Sequence, residues 1–231
     1  DAKEIRDNME NYDYQGKKLA FLTFDDGVNT QTSIKILQVL KDNEINATFF
    51  IPGINLENEE NQKVLKKLYE DGNAIATHSY NHDYELLYPG RQADSNQIVK
   101  EHKETVDLMK SILGDDFDTK LFRYPGGHMS WDWDSIQVSD KALSDMGVTW
   151  IDWNSMTGDA QPIDAGPNDI SRPQSVDQVI SNFEQSLGYT ANPNQVVILM
   201  HDALDKDLTA ESLQALINHL KNEGYEFGIM K

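Results

Sequence analysis

Phe21-Leu22-Thr23-Phe24-Asp25-Asp26-Gly27-Val28-Asn29 decides how the rest of the chain is read. Leu19 to Phe24 is a short, apolar, β-prone run with lysines on its N-terminal side, and it ends abruptly in two carboxylates and a glycine. A buried strand tolerates adjacent aspartates at its end only if something compensates their charge. Asp-Gly is also an ordinary turn dipeptide, so the triplet by itself is equally well a solvated turn. Its company gives it weight: a His pair, an Arg loop, an Asp-Trp and an isolated His each follow another strand-like run.

Outward from this stretch, strand and helix patterns alternate. Asn29 or Thr30 caps a helix carrying Ile34, Leu37 and Leu40, and Ala47–Ile51 is a second strand. A charged helix places Val64, Leu65 and Leu68 inward before a third strand, Asn73 to Thr77, runs into His78. The longest helical pattern, Asp94 to Leu113, leads to Leu121-Phe122 and then Arg123. Lys141 to Met146 is helical, Val148–Ile151 a fifth strand, and Asn154 to Pro173 a loop rich in Gly, Pro, Asn and Asp. Val176–Leu187 is helical, Val196–Met200 is a sixth strand ending at His201, and the stripe from Leu213 to Leu220 precedes a last strand, Tyr225–Met230. Such alternation predicts an α/β fold with parallel pairing. Because the polar candidates follow strands one, three, four, five and six, a closed or nearly closed (β/α) barrel of about seven or eight parallel strands is favoured over an open sheet.

The chain has 231 residues, ample for one sizeable core, with 39% hydrophobic and 26% charged residues. A formal charge of −19 argues against nucleic acid and anionic lipid as partners. No cysteine is present, so disulfides and thiolate metal sites are excluded, and no apolar run reaches the roughly 18 residues of a bilayer span. Residues 1–16 read as a polar lead-in with Tyr12 and Tyr14 as its only bulky anchors, and residues 17–231 as one catalytic domain. Beginning at Asp1 without Met, the chain reads as part of a longer precursor whose signal or anchor lies outside it.

His78 and His82 stand four residues apart just after a strand, and in a helical turn both would reach one ion. Two surface histidines in a polar loop are the plain alternative. With Asp26 as a third ligand the set is one carboxylate and two imidazoles, leaving a position open for water as in catalytic zinc sites; iron, cobalt and manganese suit it too. Arg123 offers a fork for a carboxylate, and Pro125-Gly126-Gly127 a loop whose amides face a ligand. Asp152-Trp153 and His201 complete the group. A buried Asp bonded to one imidazole nitrogen raises its pKa, which suits a general acid.

Thr23-Phe24-Asp25-Asp26-Gly27, His78-Ser79-x-x-His82, Arg123-x-Pro125-x-Gly127, Asp152-Trp153 and Leu199-x-His201 resemble, in order, the five motifs of the polysaccharide deacetylase family, carbohydrate esterase family four. The resemblance runs from about Lys17 to the C-terminus and is nearest to bacterial peptidoglycan N-acetylglucosamine deacetylases. It implies a distorted (β/α) barrel holding one divalent metal, zinc before cobalt, iron or manganese, on Asp26, His78 and His82. It further implies Asp25 as general base steadied by Arg123, the Gly126 amide as oxyanion donor, and His201 as general acid oriented by Asp152. Trp153 and Leu199 would wall the acetyl pocket. The implied protein is a monomer acting on an acetylated cell-wall glycan, outside or on the surface of a bacterium, with no nucleic-acid partner and no membrane contact from this segment.

Two departures from the motifs stand out. Val28 replaces the usual proline, and Gly126 stands where the family often carries tyrosine, so the ring that would flank the sugar is absent from that position. His102 and His219 read as solvated, while His128, Trp131, Trp133, Tyr84, Leu87 and Tyr88 are open between packing and groove. The same machinery also suits chitooligosaccharides or an O-acetyl ester such as acetylxylan, and a non-catalytic carbohydrate-binding relative is a third reading.

Overall fold

The computed structural model describes residues 1–231 apart from 167, 191 and 231, and its strands form one sheet in which every pairing is parallel. The strands are β1 (Leu19–Asp25), β2 (Thr48–Ile51), β3 (Ala74–Thr77), β4 (Leu121–Phe122), β5 (Thr149–Trp150), β6 (Ser155–Met156), β7 (Gln195–His201) and β8 (Glu226–Gly228). Their order is β5-β4-β3-β2-β1-β7-β6, with β8 beside the first half of β1. The sheet curls into a barrel left open between β5 and β6. The parallel (β/α) barrel is distorted as expected, though left open and not closed, and β6 is a two-residue strand inside the stretch expected to be loop.

Period-two alternation sorts the strands into two faces. Ala20, Leu22 and Phe24 of β1 and Val196, Ile198 and Met200 of β7 face the helices, packing with Ile36, Leu40, Leu65, Leu68, Leu216 and Leu220. The opposite residues line the barrel in register: Phe21 beside Val197, Thr23 beside Leu199, Asp25 beside His201. The interior therefore runs from apolar at its base to acid and imidazole at its mouth.

The helices are α1 (Ala2–Met9), α2 (Thr32–Asp42), α3 (Glu59–Glu70), α4 (Tyr84–Leu87), α5 (Ser95–Leu113), α6 (Trp133–Asp145), α7 (Val176–Leu187) and α8 (Asp207–Asn222). The α1 helix corrects the reading of residues 1–16 as a lead-in anchored by tyrosines. Tyr12 is exposed, whereas Ala2, Ile5 and Met9, spaced along one helical face, pack inside the barrel with Phe21, Phe50, Ile151 and Val197. Burying side chains of the size of Ile5 and Met9 contributes about 1.5–3 kcal/mol each. Arg6 donates to the Trp150 carbonyl at 2.8 Å with its guanidinium 4.2 Å over that ring, and Asn192 donates to the carbonyls of Asn8 and Asn11. The segment thus fills the opening beside β5.

Candidate metal centre and active site

Asp25, Asp26, His78, Arg123 and His201 converge where β1, β3, β4 and β7 end, at the C-terminal mouth of the barrel. The turn after β1 is built to aim Asp26. Asp26 takes a left-handed φ of 69°, which aspartate tolerates better than most residues, and Asn55 donates to the carbonyls of both Asp26 and Gly27. A Cβ on Gly27 would run into the Asp202 carboxylate, so the turn sits close because residue 27 has no side chain.

Asp26 Oδ1 lies 3.6 Å from His78 Nε2 and 3.3 Å from His82 Nε2, and ligand atoms of the three residues all fall within 4.8 Å of one another. His78 Nδ1 donates to the Arg123 carbonyl at 2.9 Å, so its Nε2 lone pair faces the cluster. Burial, with the neighbouring His82 adding to it, lowers the His78 pKa to about 3, which keeps the ring neutral as a ligand must be. Asp26 Oδ1 is buried and, among the described residues, has no hydrogen-bond partner. A buried, unpartnered carboxylate oxygen against two imidazoles with free lone pairs fits a divalent cation.

The histidine loop is held by a residue that sequence reasoning passed over. Ser79 and His82 both adopt left-handed φ, and the fully buried Glu101 of α5 accepts from the amides of Tyr80 and Asn81 at 2.8 and 3.0 Å. Thr105, a turn further on, donates to the Ser79 carbonyl. The signal was available: Glu101 lies in the stripe of Ile98, Thr105 and Met109, where a charge needs a reason. His102, expected to be solvated, is instead buried with Nδ1 2.7 Å from the Thr77 hydroxyl, and burial lowers its pKa to about 4.

Arg123 is wholly buried yet well satisfied. It donates to Asp25 Oδ1 and Thr23 Oγ1 at 2.8 Å and to the carbonyls of Ile151 and Asp152 at 3.0 Å, with its guanidinium 3.9 Å over the Phe50 ring. Burial raises the Asp25 pKa above the usual carboxylate value, with Arg123 pulling against that rise. Asp25 and Arg123 are therefore brought together as expected.

His201 and Asp152 are not. His201 Nδ1 bonds Asp159 Oδ1 at 2.8 Å, while Asp159 Oδ2 accepts from the His201 amide and from Thr209. Burial alone would lower the His201 pKa, but Asp159, with Asp25 and Asp26 beyond it, raises it to about 9. Burial likewise favours the neutral Asp159 carboxyl, yet the pairing holds it below its ordinary value. Asp152 instead accepts from the His128 amide, at 2.8 Å on Oδ2, and so pins the loop containing Gly126 and Gly127. Sequence reasoning missed Asp159 because it sits in the irregular loop with only two-residue β6 near it.

Among the described residues none accepts a hydrogen bond from the Gly126 amide. Trp153 packs under the same loop, its ring 2.8 Å from where a Gly127 Cβ would stand, and Leu199 faces inward between Val197 and His201. Asp202, also unforeseen, is buried beside the Asp26 turn, accepts from Ser33, and is pushed up to about 7 by burial. Of the aromatic candidates, Leu87 and Tyr88 are core, Trp131 stacks on Tyr88 at 3.7 Å, His128 stacks on Trp150 at 3.8 Å and bonds Asp140, and Trp133 is exposed. His219 is partly buried on α8, 3.6 Å from Glu184.

Comparisons with known proteins agree with this geometry. The polysaccharide deacetylase family model matches residues 13–149. A peptidoglycan-N-acetylglucosamine deacetylase of Bacillus cereus is 31% identical, the match covering 91% of this chain and 68% of that protein. The structure of a Streptococcus mutans CE4 esterase superposes with a TM-score of 0.91 at 39% identity, covering 100% of this chain and 91% of that one. A polysaccharide deacetylase structure from Bacillus cereus gives 0.73 at 28% identity over 93% of both chains. Sequence motifs, barrel and comparisons agree, and the chain belongs to the polysaccharide deacetylase family of carbohydrate esterases, hydrolases that act on amide bonds.

Proposed function

We propose that this protein is a metal-dependent hydrolase that removes N-acetyl groups from N-acetylglucosamine residues of a cell-wall glycan, with peptidoglycan as the substrate. One observation carries the reading. Within one mouth, a buried carboxylate–guanidinium pair, two imidazoles around Asp26 and an imidazole kept protonated by Asp159 stand side by side. Base, cation site and acid together supply what metal-assisted amide hydrolysis uses. The Bacillus cereus relative supports peptidoglycan as the substrate, and a cell-wall substrate would be met outside the cell or on its surface.

Asp26, His78 and His82 would hold the metal, zinc by its one-carboxylate, two-imidazole donor set. Bound there, the cation would polarise the acetyl carbonyl and ease deprotonation of water. Asp25 accepts the proton of the attacking water, and Arg123, bonded on its other sides to fixed carbonyls, holds the carboxylate in place. The Gly126 amide donates to the developing oxyanion. His201 delivers its proton to the departing amine, and Asp159 stabilises the imidazolium until it does. Leu199 and Trp153 line the space for the methyl group.

The test is acetate release by zinc-loaded protein, measured side by side on peptidoglycan, chitooligosaccharides and acetylxylan. Release from peptidoglycan in clear excess is expected, lost on chelation and restored by zinc. Faster release from acetylxylan, or release that survives full metal removal, would overturn the reading.

A further inference from the structure

Gly126 leaves room that another residue has taken. A Cβ built at this position, where φ is 77°, would have Trp131 Cζ2 at 3.1 Å and the Tyr84 hydroxyl and Cζ at 3.2 and 3.4 Å. The phenol end of Tyr84 therefore lies over the loop that carries the Gly126 amide. The ring centroid is also 5.3 Å from that of His82, so Tyr84 stands between the cation cluster and the Gly126 loop.

Its placement follows from α4. Asp83 caps this single turn by accepting from the amides of Glu85 and Leu86. Leu87, with Tyr88 just past the helix, anchors the turn in the core, while Tyr84 on the opposite end remains 45% exposed. Its edge packs on Trp131 at 5.3 Å, a contact phenylalanine would make equally well. The neighbouring polar group is committed, since the Trp131 indole donates to the Pro125 carbonyl. Among the described residues the Tyr84 hydroxyl bonds nothing, so packing accounts for the ring and not for the oxygen. Exposed Trp133 does not share the place; it lines a separate depression with Gln137, Lys141 and Lys3.

We propose that Tyr84 is a substrate-binding residue, its ring bordering the sugar that carries the scissile acetyl group and its hydroxyl donating to a hydroxyl of that sugar. The proposal rests on the glycan reading given above. A half-exposed phenol suits a pyranose, whose C–H face packs on an aromatic ring while its hydroxyls need polar partners.

Zinc-loaded wild type, Tyr84→Phe and Tyr84→Ala would be compared on an N-acetylglucosamine oligomer and on a small activated acetyl ester that lacks the sugar, together with oligomer affinity by calorimetry. Tyr84→Phe keeps the packing and serves if Tyr84→Ala fails to fold. The loss of one neutral hydrogen bond predicts about a five-fold fall in kcat/KM on the oligomer, carried mainly by KM. Losing the ring as well should bring the fall to about ten-fold or more, with the ester affected several-fold less in both variants and metal content unchanged. Equal losses on oligomer and ester, or Tyr84→Phe and Tyr84→Ala both matching wild type, would overturn the proposal. If wild type releases no acetate yet binds the oligomer, weaker binding by the variants upholds Tyr84 and sinks the deacetylase reading. Unchanged affinity in the variants sinks Tyr84 alone, and no binding by wild type sinks both.

Discussion

His78 and His201 stand on either side of Asp26, their Nε2 atoms 3.6 and 4.0 Å from its two oxygens, and both are buried. Their protonation nevertheless goes opposite ways. His78 hangs its Nδ1 on a backbone carbonyl, which orients the ring but brings no countercharge, and its pKa falls to about 3. His201 hangs its Nδ1 on the Asp159 carboxylate, which offsets the burial that would otherwise lower it, and its pKa rises to about 9. One acceptor prepares a metal ligand and the other a proton donor. Residue type and burial do not separate the two roles; the atom behind the ring does.

The strongest way to break this contrast is on the His78 side. Protein loaded with zinc should carry about one ion per chain. His78→Ala combined with His82→Ala should carry none by elemental analysis and lose activity to background. Full occupancy in that double variant would refute the ligand set and with it the reading of His78 as a neutral ligand.

Next in size are the proton-handling residues. Asp25→Asn and His201→Ala should each lose about 10²–10⁴-fold on an N-acetyl oligomer with metal still bound. They should part company on nitrophenyl acetate, whose leaving group needs no proton: Asp25→Asn loses that activity too, whereas His201→Ala keeps most of it. Matching losses on both substrates in His201→Ala would remove the acid role from the His201 side.

Arg123→Gln reads out as stability. It strips a buried carboxylate of its ion pair, which typically costs about 3–5 kcal/mol, and the denaturant midpoint should fall accordingly. Without the guanidinium, the largest influence opposing the burial of Asp25 is gone, so the acidic limb of the pH–rate profile should move to higher pH. A variant as stable as wild type would show that the pair does not support the barrel mouth.

The smallest effect is the most specific. His201 acts as acid only while protonated, and its folded pKa lies above the ordinary imidazole value, so activity should decline as pH rises through that pKa. Asp159→Asn removes the charge that outweighs burial, so this alkaline limb should move to lower pH by at least about one unit. Asp152→Asn should leave the limb where it is and lower kcat by loosening the Gly126 loop. An alkaline limb that moves with Asp152 and stays with Asp159 would reinstate the pairing expected from sequence and dissolve the contrast with His78.

The sequence by itself determined the ladder of strands and helices and the identity of most groups at its mouth. Apolar, β-branched or aromatic runs as short as Leu19–Phe24 and Val196–Met200 read as buried strands, and parallel strands joined by helices must all deliver their ends to one side, so Asp25, Asp26, His78, Arg123 and His201 are legible as neighbours. What holds each group was decided by tertiary structure. Asp159 reaches His201 across 42 positions of sequence, from a loop whose path no local pattern encodes, and so displaces Asp152, which looks the better partner because it follows a strand. Glu101 and Asp202 are ordinary acids until the fold buries them against the histidine loop and the Asp26 turn. The α1 helix looks polar because three apolar residues in eight suffice once a barrel with an open side offers them a place. Periodicity records which face of an element is buried. It holds no record of what lies across from that face, and there the pKa values, the loop anchors and the placing of the Tyr84 hydroxyl are settled.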